Sequence, residues 1–373
     1  MLVYFDNAAT TSLDERVFEE MRPYFLQHFG NPSSIHRHGR EVRSAIEKAR
    51  RNVARIFNVS PAEVFFTSGA TEADNTFLAG AISAFGISHI ISSPIEHHAV
   101  LHTVQHLAKS GLVKLHLLHV DKSGKIDLSE LQSYLAKHPR ALVSLMHGNN
   151  ELGNILDIAS IANLCSEYEA IFHSDTVQTV ASIPLDLQQI NVHSIVGSAH
   201  KFHGPKGIGF LIMKSGFHVQ PVFYGGGQER NMRGGTEYVA GIIGLAKALE
   251  LAVVEREANI AHTAMLKERL KAGLSQAVEG IRFLGDAENS LSHILNVAFP
   301  DIDDNDMLLF NLDINGISVS GGSACSSGTS IGSHVLKSIV LPDNYGAIRF
   351  SFSHYNTIDE VDFVIKTIIS QNG

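Results

Sequence analysis

Cysteine is scarce in this chain: Cys165 and Cys325 are the only two among its 373 residues. Two cysteines cannot build a disulfide framework, so a reducing cytoplasm is the expected compartment. Long apolar runs are also missing, because no stretch approaches the roughly 18 residues that a membrane-spanning helix needs. The first residues lack a basic segment followed by an apolar one, and we therefore expect no signal peptide.

Basic charge is in the minority. The chain has 29 lysines and arginines against 38 aspartates and glutamates, which gives a formal net charge of −9. This balance argues against a protein dedicated to binding nucleic acid. With 44% hydrophobic and 18% charged residues, and without repeats or low-complexity linkers, the composition predicts a soluble globular protein of about two domains.

Strand-like and helical patterns alternate from about residue 60 to residue 215. Such alternation predicts right-handed crossovers and a mostly parallel sheet that is covered by helices on both faces. The predicted strands are 63–67, 89–92, 113–118, 142–146, 171–174, 194–197 and 208–213, and the predicted helices between them include 72–85, 98–109 and 128–137.

The pattern changes after about residue 280. A long helical pattern over 238–277, with a predicted break near 258–261, leads into strand-like runs at 294–299, 317–320 and 347–352. Helices are predicted there at 304–311, 333–339 and 357–369, and the last opens on a capping-box pattern. This mixture predicts a smaller α+β domain.

Lys201 and Asp175 carry the most specific signal. Each lies at the end of an apolar run that is predicted to be a strand, and an α/β sheet binds its ligands at strand ends. A lysine can form a Schiff base with an aldehyde cofactor, and a carboxylate can keep a pyridine nitrogen protonated. The pair is the minimum equipment for pyridoxal phosphate chemistry.

Two segments are candidates for binding an anion. Residues 63–75 read as a strand, a small-residue turn with Ala70 and Thr71, and a helix start, where backbone N–H groups favour negative charge. A plain turn with Thr71 as the N-cap is the alternative. Residues 224–236 hold five glycines and two arginines, which is typical of a mobile, anion-binding loop or of a flexible surface connection.

His97, Asn150 and Arg349 each have a functional and a structural interpretation. An imidazole at the predicted strand–helix junction of His97 could stack on a cofactor ring or move protons. Asn150 follows a strand and could bind a phenolate or a carboxylate, but an Asn-rich turn is the simpler explanation. Arg349, in an alternating strand pattern, either covers a sheet edge or clamps a carboxylate.

The two cysteines have opposite surroundings. Cys165 lies in a helical run, so we expect a buried packing residue. Cys325 lies among Gly, Ser and Thr, where an exposed thiol is better explained as a nucleophile.

Three histidines, His98, His102 and His106, are spaced to share one helix face, which could bind a metal. The chain has 21 histidines, so such a stripe arises by chance, and we expect a solvated face and no metal site.

These residues together resemble the cysteine desulfurases of the NifS/IscS type, within the class V aminotransferase family of pyridoxal phosphate enzymes. The similarity starts at 4–11, passes through 30–34 and ends at 348–351, essentially end to end. It implies an α/β fold, fold type I of the PLP-dependent transferases, with a seven-stranded, mostly parallel sheet in the large domain and a small α+β domain. The implied boundaries are 15–255 for the large domain and 1–14 with 256–373 for the small one.

The resemblance also implies how pyridoxal 5'-phosphate is held. Lys201 would bind it covalently, Asp175 would pair with its pyridine nitrogen, and Gln178 would contact its ring hydroxyl. His97 would stack on the ring and relay protons. The other implied cofactor contacts are Asn150 and the phosphate ligands Ala70, Thr71, Ser198 and His200, with Thr236 reaching the phosphate across a homodimer interface.

The implied reaction converts L-cysteine to L-alanine. Asn150 and Arg349 would bind the substrate carboxylate, and Cys325 would hold the sulfur as a persulfide for iron–sulfur cluster or thio-cofactor biosynthesis. A sulfur-acceptor protein, such as an iron–sulfur scaffold, would receive it. Residues 331–332 read Ile-Gly where family members in iron–sulfur assembly usually carry a Glu-Pro pair, which leaves the acceptor open.

Three other functions compete with this one. The nearest is another class V activity, a selenocysteine lyase or a transaminase. A non-enzymatic partner in a sulfur-transfer complex and a metal hydrolase built on the histidine stripe are more distant.

Overall fold

The structure, a computed structural model, describes residues 1–300, 302, 305–321, 333–342 and 344–371. Within these residues the strands are β1 (Val3–Tyr4), β2 (Val64–Thr67), β3 (His89–Ser92), β4 (Lys114–Leu117), β5 (Leu142–Ser144), β6 (Ile171–Asp175), β7 (Ser194–Ser198), β8 (Gly209–Met213), β9 (Arg282–Leu284), β10 (Ile294–Pro300), β11 (Ile317–Ser318) and β12 (Tyr345–Ser351). The α-helices are α1 (Glu15–Leu26), α2 (Arg37–Ile56), α3 (Ala70–Phe85), α4 (His98–Lys109), α5 (Leu128–Lys137), α6 (Ile158–Glu167), α7 (Val239–Val254), α8 (Arg256–Ala277), α9 (Asn305–Ile314), α10 (His334–Ser338) and α11 (Ile358–Gln371). Short 3-10 turns cover Pro61–Glu63, Ala199–Lys201 and Gln228–Asn231.

Seven strands form the main sheet, in the order β2-β8-β7-β6-β5-β3-β4. β8 runs antiparallel to both of its neighbours, whereas the pairs from β7 to β4 are parallel. Alternate strand residues enter two separate hydrophobic cores, with Phe172 and Ile195 on one face and Ile171 and Val196 on the other. The predicted fold class is confirmed, and all seven predicted strands are present to within two residues.

Two predicted boundaries were wrong for identifiable reasons. β5 ends at Ser144 and not at 146, because the Met146 N–H donates to the Glu96 carboxylate (3.1 Å). The long helical region breaks at Glu255 and not at 258–261. At Glu255 the backbone leaves helical geometry (φ −94°, ψ 3°). Arg16, just inside α1, binds the Glu255 carboxylate and fixes this junction.

Two helices precede the first predicted strand. α2 buries Val42, Ile46, Ala49 and Val53, whose spacing of three or four residues defines one apolar face. α1 and α2 both pack against α7. No helix in the described residues is long and apolar enough to cross a membrane.

The remaining strands join the two ends of the chain. β10 lies between β9 and β12 in an antiparallel sheet, and β1 pairs in parallel with β11. Val3 and Phe5 share one hydrophobic core with Leu270, Phe350 and Val361. This second unit of strands and helices confirms the smaller α+β part of the predicted fold.

Candidate active site

A cavity of about 470 Å³ opens at the carboxyl ends of β5, β6 and β7. Asp175 is the last residue of β6, Ser198 is the last of β7, and Lys201 follows in a 3-10 turn. Parallel α/β sheets bind ligands at this edge. The cavity is lined by nine of the residues singled out from the sequence, namely Ala70, Thr71, His97, Asn150, Asp175, Gln178, Ser198, His200 and Lys201.

The N-terminal segment holds the lysine turn. Thr11 donates from its backbone N–H and its hydroxyl to the His200 carbonyl, both at 2.9 Å. Lys201 Nζ donates to the carbonyl oxygens of Ala8 (2.6 Å) and Ala9 (3.0 Å). These carbonyl groups orient the amine, a role that the sequence patterns did not reveal.

Asp175 is a buried carboxyl group beside Lys201. Burial raises its pKa to about 6, although a hydrogen bond from the Val177 N–H (2.9 Å) and the charge of Lys201 lower it. A carboxylate in such surroundings is stabilised by a cationic partner. Gln178, three residues on, donates from Nε2 to the Ala8 carbonyl (3.0 Å), which ties this turn to the N-terminal segment.

The N-terminus of α3 is open to the cavity. Its N-cap is Gly69, so no side-chain oxygen satisfies the first N–H groups of the helix. Thr71 lines the cavity beside them, and Ser198 and His200 face it from the sheet. Gly209 in β8 lets the sheet approach the start of α3 closely, because a Cβ on Gly209 would lie 2.7 Å from the Gly69 Cα. Free N–H groups and the helix dipole make this end a suitable phosphate site.

His97 presents a neutral imidazole to the cavity. It is the N-cap of α4, and its Nδ1 accepts a hydrogen bond from the Ala99 N–H (3.1 Å), so the ring proton is on Nε2. Burial and then the charge of Lys201 lower its pKa to about 4. The ring is therefore uncharged at neutral pH, which suits stacking on an aromatic cofactor.

Glu96 is a buried acid next to His97 that the sequence analysis did not assign. Its Oε1 accepts hydrogen bonds from Ser93 Oγ (2.7 Å) and the Met146 N–H (3.1 Å). Its Oε2 has no hydrogen-bond partner in the described residues. Burial raises the pKa of Glu96 to about 8, with a further contribution from the charge of Asp175. Glu96 is therefore mostly protonated at neutral pH.

We expect Glu96→Gln to make the folded protein less sensitive to rising pH. The amide oxygen can accept both hydrogen bonds of Oε1, and the NH₂ group replaces the protonated Oε2. A carboxyl group whose pKa is raised by folding has no effect below its unfolded value of 4.5 and destabilises the fold progressively up to about pH 8. The wild-type penalty at pH 8 is on the order of 3–5 kcal/mol.

Urea unfolding at a series of pH values from about 5 to about 8 measures this effect, because the range lies between the unfolded and the folded pKa of Glu96. The free energy of unfolding should fall with pH less steeply in Glu96→Gln than in the wild type. Glu167→Gln, at an exposed position, is the matched control and should keep the wild-type slope. Parallel curves for wild type and Glu96→Gln would show that Glu96 is not protonated in the folded protein.

Two asparagines divide the roles at the turn after β5. Asn149 is buried, and its Oδ1 accepts from the N–H groups of Glu151 (2.9 Å) and Leu152 (2.8 Å). Its Nδ2 donates to the Ile95 carbonyl (2.9 Å). Asn149 therefore builds the Asn-rich turn, whereas Asn150 lines the cavity.

Arg349 contacts this turn from β12 and does not line the cavity wall. Nη1 donates to the Asn150 carbonyl (2.8 Å), and Nη2 pairs with Asp6 Oδ1 (2.7 Å). The residue is only 2% exposed, and its Nε has no hydrogen-bond partner in the part of the chain that the structure describes. This burial argues against a side chain that covers an exposed sheet edge.

Cys325 lies outside the described residues. The described residues that flank it are held near the turn after β5: Ser320 exchanges backbone hydrogen bonds with Arg349 (2.7 and 3.3 Å), and Ser333 Oγ donates to the Glu151 carboxylate. Cys325 follows Ser320 by five residues (325 − 320), a length of chain that spans at most about 17 Å.

Other candidate groups have structural surroundings. Cys165 is buried in α6, and burial raises the pKa of its thiol to about 12. His102 and His106 are exposed as expected, but His98 lies 3.0 Å from His334 (Nε2 to Nδ1). In the described ranges no group of three His, Cys, Asp or Glu side chains is arranged to hold a metal ion.

The glycine-rich segment 224–236 is held in place by its charged residues. Glu229 forms a buried ion pair with Arg50 (2.7 Å), and Arg233 pairs with Glu72 (2.9 Å) in the first turn of α3. Arg233 thus binds a carboxylate of its own chain. Thr236 is exposed and does not line the cavity of its own chain.

Comparison with known proteins gives a consistent result. The family model described as aminotransferase class-V matches residues 3–364. Cysteine desulfurase IscS of Dictyoglomus turgidum is 41% identical over 372 residues, which cover 98% of this chain and 93% of that protein. Cysteine desulfurase NifS of Azotobacter vinelandii is 39% identical over 370 residues, with 98% and 91% covered. A solved structure described as a NifS-like protein has a TM-score of 0.93 at 39% identity and covers 100% of this chain and 99% of that chain.

Proposed function

This chain belongs to the aminotransferase class-V family, and on that premise we propose that it is a cysteine desulfurase that uses pyridoxal 5'-phosphate. It converts L-cysteine to L-alanine and keeps the sulfur as a persulfide on Cys325. The observation that carries the proposal is one cavity bounded by Lys201, the buried Asp175 and the uncapped N-terminus of α3. The two relatives compared above are named cysteine desulfurases, which favours this activity over a selenocysteine lyase or a transaminase.

The residues of the cavity fit the cofactor. Lys201 Nζ would bind its aldehyde carbon, the Asp175 carboxylate would pair with its pyridine nitrogen, and the open end of α3 with Ser198 would bind its phosphate. The buried Asp175 supports this assignment because its carboxylate is stabilised by a cation such as a pyridinium. When bound, the cofactor supplies an electron sink for the negative charge that develops at the substrate α carbon.

The residues around the cofactor would orient it and move protons. The neutral ring of His97 would stack on the cofactor ring, and Gln178 would contact its ring hydroxyl. Lys201 Nζ would take the proton from the substrate α carbon. The Ala8 and Ala9 carbonyl oxygens, which bind Nζ in the structure, offer the released amine hydrogen-bond acceptors.

Cys325 would take the sulfur by nucleophilic attack on the substrate thiol group. Its thiolate attacks the substrate sulfur, so that an S–S bond forms as the substrate Cβ–S bond breaks and the β carbon takes up a proton. L-alanine and the persulfide together contain the atoms of L-cysteine and the thiol, and no external oxidant is needed. Ser320, five positions before Cys325 (325 − 320), exchanges backbone hydrogen bonds with Arg349 beside the turn after β5.

We expect Arg349→Ala chiefly to weaken cysteine binding. The loss of a charged hydrogen-bonded pair with the substrate carboxylate should cost about 2–4 kcal/mol, seen as a higher KM for cysteine. The absorption of the resting enzyme with cofactor should hardly change, because Lys201 and Asp175 remain. Steady-state kinetics of alanine release measure the effect.

Arg282→Ala is the control for this variant. Arg282 begins β9, in the same three-stranded sheet as Arg349, and packs over the ring of Tyr345. It should leave the KM for cysteine unchanged. An unchanged KM in Arg349→Ala as well would limit Arg349 to the hydrogen bonds with Asp6 and Asn150 that hold the fold together.

A homodimer is part of the proposal. Thr236 is exposed and lies outside the cavity of its own chain, so it would serve the cavity of a partner subunit. Tyr238, two residues on, contacts Phe25 with ring centroids 6.5 Å apart. Near Phe25 the side chains of Leu26 and Phe29 are 67% and 75% exposed, an apolar surface that a second subunit would cover.

The finer biological setting is proposed on the same premise. The persulfide would pass to an acceptor protein, such as an iron–sulfur scaffold, in the cytoplasm, where a free thiol persists. The proposed large domain covers 15–255, and the small domain covers 1–14 with 256–373, because β1 pairs with β11 in the second unit of the fold.

Alanine release tests the function directly. The protein with bound cofactor should form alanine from cysteine without any keto-acid acceptor, and a reductant that discharges the persulfide should increase the yield from one equivalent to many. Alanine formation that requires a keto acid would instead identify a transaminase. A purified protein that binds no pyridoxal 5'-phosphate would identify a non-enzymatic partner.

A further inference from the structure

A third carboxyl group, Asp74, is buried near Asp175 and has no role in the proposed reaction. Asp74 lies in the second turn of α3 and is 0% exposed. Neither of its oxygens has a hydrogen-bond partner in the residues described. Its one ion-pair contact within the described chain is His173, also 0% exposed, whose Nε2 lies 3.3 Å from Oδ1. An ionised carboxylate in such a place would need a cation, because the burial of an unpaired charge is very costly.

The sheet places this pair beside the cofactor cavity. His173 and Asp175 are two residues apart in β6, so their side chains leave the same face of the sheet. α3 covers that face: Phe77, one turn after Asp74, stacks on His173 with ring centroids 5.1 Å apart. The N-terminus of the same helix opens into the cavity at Thr71. Asp74 therefore lies on the helix that packs against the same face of the sheet as Asp175.

Three protonation states are conceivable for Asp74 and His173. An ion pair is disfavoured because burial lowers the pKa of His173 to about 3. An ionised Asp74 beside a neutral ring is disfavoured because burial, and then the charge of Asp175, raise its pKa. The remaining state has a neutral acid. Its O–H is assigned to His173 Nε2, which, like both Asp74 oxygens, has no hydrogen-bond partner in the described residues. The ring proton is then assigned to Nδ1, which lies 2.9 Å from Ser144 Oγ.

We propose that Asp74 is a neutral carboxylic acid whose O–H donates a hydrogen bond to His173 Nε2, 3.3 Å away, so that Asp175 is the anion of this buried group. Asp74 is a positioning residue: it acts through His173 and Asp175 and does not line the cavity. The inference rests on the proposed function, because a pyridine nitrogen needs one anionic partner. Two adjacent buried anions would oppose each other's ionisation, and a neutral neighbour removes that conflict.

Infrared spectroscopy of the cofactor-free protein tests the protonation state. A protonated carboxylic acid has a carbonyl stretching band at higher frequency than the amide and carboxylate bands. At neutral pH the wild type should show a band that is lost in Asp74→Asn, and a separate band that is lost in Glu96→Gln. If the spectrum of Asp74→Asn keeps all the carboxylic acid bands of the wild type, Asp74 is ionised and the proposal is overturned.

Cofactor affinity tests the positioning role. Asp74→Asn keeps a neutral donor towards His173 and should bind pyridoxal 5'-phosphate within about twofold of the wild type. Asp74→Val removes the donor, and its affinity should fall about tenfold, the scale of one buried hydrogen bond. Equal weakening in both variants would show that the charge of Asp74 is needed, and no weakening in either would leave Asp74 a packing residue. Both outcomes overturn the proposal.

The experiments separate a failure of the proposed function from a failure of the role of Asp74. If the wild type binds no pyridoxal 5'-phosphate, the proposed function fails, and the infrared result on the cofactor-free protein still decides whether Asp74 is protonated. If the wild type binds the cofactor and forms alanine, but Asp74→Asn loses no infrared band, only the inference on Asp74 fails. Circular dichroism of Asp74→Val checks that a loss of affinity does not come from unfolding.

Discussion

Lys201→Ala is expected to lower the rate of alanine formation by at least about 10³-fold, because one amine supplies both the covalent link to the cofactor and the proton transfer at the substrate α carbon. The fold should persist, since Lys201 is half-buried and its Nζ contacts carbonyl groups that can bind water instead. The variant should still bind the cofactor through the open end of α3 and Asp175, but not covalently.

Chemical labelling locates the covalent link independently of turnover. Borohydride reduction of the wild type with its cofactor, followed by peptide mass mapping, should place the label on Lys201. Lys206 is the built-in comparison, because it also lines the cavity but is exposed. A label on Lys206 would contradict the assignment of Lys201 and require a different geometry for the cofactor.

Cys325→Ser should stop desulfuration while leaving cofactor and cysteine binding intact. A serine hydroxyl is a far poorer nucleophile towards sulfur than a thiolate, so alanine formation should fall by about 10³-fold or more. The change in cofactor absorption that follows addition of cysteine should remain, because Lys201, Asp175 and Arg349 are unchanged. Single-turnover alanine release and absorption spectra measure the two effects separately.

Cys165→Ser is the matched control for this variant. Cys165 is buried, and the raised pKa of its thiol makes it unreactive, so the change should be nearly silent in activity. Wild-type protein given cysteine without a reductant should gain one sulfur on the peptide that contains Cys325. If that peptide gains none, or if Cys325→Ser forms alanine at the wild-type rate, Cys325 is not the sulfur acceptor.

The sequence was a good guide to the large sheet. Its strands are short, mostly apolar runs between helical patterns, and local periodicity is enough to locate them because buried parallel strands are rich in apolar residues. Lys201 and Asp175 could be predicted as a pair for the same reason: each follows such a run, and the ends of parallel strands meet at one edge. The detailed cofactor contacts and the persulfide role of Cys325 came from resemblance to a family, and Cys325 lies outside the described residues.

Boundaries were less predictable, because they depend on contacts from distant segments. β5 stops early since Glu96 takes the Met146 N–H, and α7 ends early where Arg16 binds Glu255. The turn after β5 shows the same limit at the level of single residues. Two adjacent asparagines are equivalent in sequence, but the buried Asn149 builds the turn and leaves Asn150 to the cavity.

What the sequence determined by itself was therefore local: the order of strands and helices, the absence of a disulfide framework, and the strand-end positions of Lys201 and Asp175. Only the tertiary structure decided which groups are buried together. The hydrogen bond from Lys201 Nζ to the Ala8 carbonyl joins residues 193 positions apart, and the contact between Asp74 and His173 joins α3 to β6. Burial and pKa are properties of such assembled surroundings, because the cost of a charge depends on every group that replaces water around it.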